Sequence, residues 1–96
     1  MVMKNLVLDC GDECSFNLAD GRKIRSLSEL SKSLENMDDN VFRHHVNDGR
    51  NDFSTWIRDV IKDEELANDM LATKDRNGSQ LLVLKRILEL IKEITK

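Results

Sequence analysis

The feature that most narrows what this chain can become is the run from Asp52 to Ile61. Phe53, Trp56, Ile57, Val60 and Ile61 fall at i, i+3, i+4, i+7 and i+8, the spacing that gathers apolar side chains on one face of an α-helix. A helix of that kind holds in water only when its apolar face is covered, so the chain must supply other elements to pack on it. Asn51 or Asp52 provides its cap. The stripe cannot continue unbroken, because Asp63-Glu64-Glu65 stands where the next apolar side chains belong. The helix must kink or restart at Asp63 before Leu66, Ala67, Met70 and Leu71 resume the pattern.

Upstream, Ser26-Leu27-Ser28-Glu29 matches a capping box, in which serine and glutamate satisfy free amides at a helix start. Leu27, Leu30, Leu34 and Met37 follow at helical spacing. After a polar break from Asn36 to Asn40, Asp39 or Asn40 caps a short helix on which Val41, Phe42, His45 and Val46 share a face and His44 points elsewhere. Residues 47–51 contain no apolar side chain and read as a solvated loop, as does the segment from Thr73 to Ser79 with its Asn77-Gly78 pair. A last helix is expected from Ser79 or Gln80 onward. It carries one row of Leu81, Leu84, Leu88 and Ile91, widened by Leu82, Ile87, Leu90 and Ile94, more apolar surface than one contact covers.

Before Ser26 the period changes to two. Cys14, Phe16 and Leu18 alternate with polar neighbours, Asp20-Gly21 supplies a turn and Ile24 follows, which predicts a β-hairpin with one apolar face. Leu6-Val7-Leu8 reads as a further strand ending in an acidic turn. The expected fold is therefore α+β and predominantly helical, a small N-terminal hairpin packed on four to five helices. With 96 residues it forms a single domain, 1–96, with strands in 1–25 and helices in 26–96.

A composition of 40% hydrophobic and 34% charged residues is too apolar for a disordered chain and too charged for a membrane protein. The longest aliphatic run, Leu81 to Leu84, is far shorter than a bilayer span, and the first residues lack a signal peptide's apolar core, so a cytoplasmic protein without a membrane partner is expected. Residues 1–73 carry a formal charge of -6 and residues 74–96 one of +3. Only the last helix has the basic balance that a nucleic-acid reader uses.

Three stretches carry a resemblance: residues 20–30, residues 37–46, and Asn51-Asp52-Phe53-Ser54-Thr55-Trp56-Ile57. Together they resemble a small archaeal and bacterial domain family of unknown function, marked by Phe-x-x-His-Val followed by Asn-Asp-Phe-x-x-Trp-Ile. Here Phe42, His45, Val46 and residues 51–57 meet the motif. The resemblance spans about Phe16 to Leu71 and implies a module that occurs alone or appended to larger proteins, with no assigned activity. The segment from Cys10 to Cys14 lies outside it.

The sharpest polar cluster is His45 with Asn51, Asp52 and Trp56. A histidine facing a carboxylate can act as a tuned acid or base, but no nucleophile or second carboxylate is fixed beside this pair, and no catalytic residue is assigned. The structural alternative has Asp52 capping its helix, His45 tying the loop down through one ring nitrogen, and Trp56 in the core. Cys10, Cys14, His44 and His45 are ingredients of a zinc site, yet adjacent histidines on a helix diverge by ~100°. No metal or cofactor is expected, and two cysteines without a secretion signal read as reduced thiols. Asp9, Asp12, Glu13 and Asp48 match no calcium loop. Lys74, Arg76, Lys85, Arg86, Lys92 and Lys96 are the candidate phosphate contacts, although Glu89 and Glu93 favour surface ion pairs.

The leading expectation is a small intracellular interaction or regulatory module, without catalytic activity, that binds a protein partner or itself, with Leu82, Leu90 and Ile94 as the candidate interface. The second is a nucleic-acid binder using Lys85, Arg86 and Lys92. The third is a ligand-binding or enzymatic site around His45 and Asp52.

Overall fold

The computed structural model describes residues 14–94, the side chain of Ile94 excepted. The expected Leu6–Leu8 strand, Cys10, Lys96 and the acidic turn before Cys14 lie outside the described residues. The order of elements is β1 (Phe16–Asn17), β2 (Lys23–Ile24), α1 (Leu27–Asn36), α2 (Asp39–His45), β3 (Val46–Asn47), β4 (Arg50–Asn51), α3 (Asp52–Trp56), a π-helical turn (Ile57–Ile61), α4 (Glu64–Ala72) and α5 (Arg76–Ile94). The fold is α+β and dominated by helices, with two small antiparallel hairpins. Among the described residues no helix is long and apolar enough to cross a membrane.

The N-terminal hairpin pairs Phe16 with Ile24 and Asn17 with Lys23. Gly21 sits in its turn at a φ of 97°, a conformation that disfavours any side chain. Asp20 braces the same turn by accepting the N–H of Arg22 at 3.0 Å. Leu18 and Ile24 are buried beneath it. Ser26 then caps α1, its Oγ accepting the Glu29 N–H at 3.1 Å, while Glu29 accepts the Arg25 N–H. Leu27, Leu30, Leu34 and Met37 are all buried.

Residues 47–51 form a tight hairpin rather than a loop: Val46 pairs with Asn51 and Asn47 with Arg50 across an Asp48-Gly49 turn. The Asn47 side chain accepts the Gly49 N–H at 3.0 Å, so a short polar side chain closes the turn where no apolar pattern marks a strand. The cap of α2 is Asp38, accepting the Asn40 N–H, one residue before the expected position.

The helix carrying the Phe53 stripe does break before Asp63. It widens into the π-helical turn Ile57–Ile61, and Lys62 follows in the left-handed region at φ 68°. Asp63 then caps α4 by accepting the Leu66 N–H at 3.0 Å. Phe53, Trp56, Ile57 and Ile61 are buried and Val60 is partly so.

The last helix starts at Arg76, earlier than expected, so Asn77-Gly78 lies in its first turn and not in a loop. Asp75 supplies the missing cap, its Oδ1 accepting the Gly78 N–H. From that start α5 lies against α1, and Arg76 donates to the carbonyls of Leu34 at 2.6 Å and Glu35 at 3.0 Å. These are carbonyls that a helix end leaves unsatisfied, and α1 has no basic residue of its own there.

The expected interface needs correction. Leu90 is buried in the core, with Val83, and Leu82 and Ile87 pack against that core; the side chain of Ile94 lies outside the described residues. The row left to solvent is the other one, with Leu81 66%, Leu84 39%, Leu88 59% and Ile91 42% exposed. The α1 and α4 contacts reach the Val83–Leu90 side of the helix, which turns the Leu81 row outward. The expectation of reduced thiols also fails at Cys14, which is disulfide-bonded.

Candidate functional site

The β3–β4 hairpin creates the polar cluster. His45 ends α2, and the tight reversal at Asp48-Gly49 returns the chain so that Asp52, in the first turn of α3, lies beside it. His45 Nδ1 and Asp52 Oδ2 are 2.9 Å apart. On its other side His45 Nε2 meets the backbone N–H of Ala19 at 3.0 Å. A backbone N–H only donates, so Nε2 accepts, and the ring proton sits on Nδ1 and is donated to Asp52. The ring is 5% exposed and packs against Phe16 and Phe53, with centroids 5.0 and 5.4 Å away.

Asp52 also faces Arg50, whose Nε is 3.5 Å from the same Oδ2. Arg50 in turn donates to the His44 carbonyl at 2.6 Å. The cap of α3 is Asn51, not Asp52. Its Oδ1 accepts the Ser54 N–H and its Nδ2 donates to the Met70 carbonyl, both at 3.0 Å. Ser54 repeats the link, its hydroxyl donating to the Ala67 carbonyl at 2.7 Å. Trp56 is in the core, its indole N–H donating to the Cys14 carbonyl at 2.9 Å. The four candidates thus hold together four parts of the fold: the first hairpin, α2, α3 and α4.

His45 uses both ring nitrogens rather than the expected one. For Nε2 of His45 to exchange a proton with a substrate, the substrate would have to displace the Ala19 N–H. None of the described concavities is lined by His45 or Asp52; those beside the β3–β4 hairpin, of about 220 and 310 Å³, run between the hairpin and Lys74. Among the described residues no three His, Cys, Asp or Glu side chains are placed to hold a metal ion. His44 is exposed while His45 is buried, the divergence expected of neighbours on a helix.

The basic residues separate as well. Arg76 is committed to the end of α1. Arg86, half-buried, stands within a ring of acids: its Nε is 2.9 Å from Asp63 Oδ2, out of line for a hydrogen bond, and its two Nη atoms reach Glu65 and Glu89. Burial works against its charge, but the hydrogen bond to Glu65 and the charges of Asp63, Glu65 and Glu89 outweigh that and hold its pKa above the ordinary value. The same hydrogen bond and charge keep Glu65 below its ordinary value. Lys74 Nζ lies 3.8 Å from Asp48, whereas Lys85 is exposed on α5. Sequence reasoning missed the roles of Arg76 and Arg86 because their partners are far off in the chain, 42 residues for Arg76 and Leu34.

Fold and site together define a small helical α+β domain whose buried polar residues tie its elements to one another. The chain belongs to a family of unknown function, DUF5752, whose sequence profile matches residues 9–96. That match takes in both cysteines and the whole of α5, which the shorter motif resemblance does not. No curated protein and no solved structure matches the chain.

Proposed function

We propose that this chain is a small protein-interaction module, without catalytic activity of its own, whose docking surface is the outer row of α5 and whose first partner is a second copy of itself. The observation that carries this reading is the exposure of Leu81, Leu84, Leu88 and Ile91 along one side of a 19-residue helix. A contiguous aliphatic row on a domain that has already buried Val83 and Leu90 on the opposite side of the same helix marks a binding surface more than a folding one. The polar cluster supports the reading from the other direction, since His45 is occupied at both nitrogens and serves the fold. The commitment of Arg76 to α1 and of Arg86 to Asp63, Glu65 and Glu89 removes two of the cations a nucleic-acid surface would use.

Sedimentation equilibrium across a wide concentration series tests it. The wild-type mass rises toward that of a dimer with concentration, and the double variant Leu84→Glu/Leu88→Glu stays monomeric with an unchanged melting temperature, because the changed side chains lie outside the core. A wild-type chain that remains monomeric throughout would overturn the self-association.

A further inference from the structure

We infer that His45 is an acid-sensitive clasp: its neutral ring holds the turn of the first hairpin on the end of α2, and its protonated ring releases that turn while keeping Asp52. The clasp is independent of self-association through α5. Its ground is that the two ring nitrogens have partners of opposite kind. Nε2 accepts the Ala19 N–H at 3.0 Å, and Nδ1 lies 2.9 Å from a carboxylate oxygen of Asp52. An imidazolium donates at both nitrogens. Protonation therefore leaves the Asp52 bond in place and strengthens it with charge, but it sets a second N–H against that of Ala19. Two donors facing each other repel, and with His45 only 5% exposed water has little access to relieve them.

The charged groups around the ring act in both directions. Asp52, from α3, favours the imidazolium. Arg50, from β4, places its Nε 3.5 Å from the same Oδ2, so it shares that carboxylate and weakens its pull on a charged ring. His44, on α2 itself, has its ring centroid 4.8 Å from that of His45, and its own protonation opposes a second charge beside it. On the hairpin, Asp20 and Arg22 stand next to Ala19 and pair with each other at 2.9 Å. Phe16 and Phe53, the apolar rings against His45, do not titrate. The docked turn selects the neutral ring, so docking holds above the range in which His45 titrates and weakens as pH falls through it. Release stays local. Leu18 and Ile24 are buried, and the Trp56 indole holds the Cys14 carbonyl; none of these contacts depends on a proton, so the turn from Ala19 to Arg22 lifts while the strands stay.

NMR on the full chain tests the clasp by following the His45 ring through a pH series. Amide exchange, corrected for its intrinsic dependence on pH, is read over the same series at Ala19 and at Ala67, whose N–H is held by the Asp63 carbonyl within α4. Protection at Ala19 falls about tenfold as the ring titrates, while protection at Ala67 is unchanged. In Asp52→Asn the side-chain carbonyl still accepts the Nδ1 proton but carries no charge, so the imidazolium loses its support and release moves to lower pH. Constant protection at Ala19 across the titration of the ring would overturn the clasp. So would a ring that stays neutral down to the pH at which the whole domain unfolds, or a loss at Ala19 matched at Ala67. A release that does not move in Asp52→Asn would overturn the part assigned to Asp52 in holding the charged ring.

Discussion

The backbone N–H of Ala19 donates to Nε2 of His45 at 3.0 Å, across 26 residues of sequence. That one bond joins the turn of the first hairpin to the end of α2, and its acceptor is available only because the other ring nitrogen gives its proton to Asp52. Replacing the ring with a methyl group removes both bonds and opens a cavity beside Phe16 and Phe53. His45→Ala is expected to lower the unfolding free energy by about 2–4 kcal/mol, measured by denaturant titration. Amide exchange at Ala19 should accelerate beyond what the global loss accounts for. Unchanged protection at Ala19 would contradict the link.

Asn51 offers a finer test, because its side chain both accepts and donates. Asparagine and aspartate are equally good helix caps, so Asn51→Asp would be silent if capping α3 were the whole role. The carboxylate has no donor for the Met70 carbonyl and places a charge against it at a buried position. A loss of about 1–3 kcal/mol is therefore expected. The loss should be larger at neutral pH than in acid, where the new carboxyl regains a proton to donate, and urea titrations of the variant and wild type at both pH values measure it.

The contrast between these two residues shows what can be read from sequence. Local periodicity and cap chemistry mark the first hairpin, the start of α1, the interruption at Asp63 and the core position of Trp56, since each is set by neighbours a few residues away. The β3–β4 hairpin is not legible, because its strands are two residues long and are held by the Asn47 side chain and by long-range packing, not by an alternating pattern. His45, Asn51 and Asp52 stand out as one cluster, but which of them caps and which bonds to His45 depends on a reversal that leaves no trace in composition. On α5 both rows are aliphatic, so only the positions of α1 and α4 decide that Val83 and Leu90 go inward and Leu81, Leu84 and Leu88 outward.

Arg86 makes stability depend on acidity. Its hydrogen bond and charge hold the Glu65 carboxyl below the ordinary value of 4.5. A carboxyl depressed in the folded state contributes stability above its unfolded value and loses that contribution as pH falls through its folded one. Wild-type stability should accordingly decline on acidification below about pH 4.5. In Arg86→Gln the chain is expected to be less stable at neutral pH, with Asp63 and Glu65 deprived of their counter-charge, and to lose less on acidification. Urea titrations at a series of pH values check this; parallel curves for the two proteins would exclude the coupling.

Gly78→Ala gives opposite signs for local propensity and tertiary packing. Alanine is favoured over glycine within a helix by about 1 kcal/mol, and Gly78 lies in the first turn of α5, so propensity alone predicts a more stable chain. A Cβ at this position would stand 2.6 Å from Cγ2 of Thr73 and 3.0 Å from Oδ1 of Asp75. Thr73 is branched at Cβ and has few rotamers to retreat into, and Asp75 is held in place by capping the Gly78 amide. The added methyl group must therefore displace either the chain leaving α4 or the cap of α5. Gly78→Ala is expected to destabilise by about 1–3 kcal/mol, and Thr73→Ser, which deletes the methyl group in the way, should recover part of that loss in the double variant. Thermal unfolding of the two single variants and the double variant reads the coupling directly; additive effects would mean that the two side chains do not collide and that glycine is kept at position 78 for another reason.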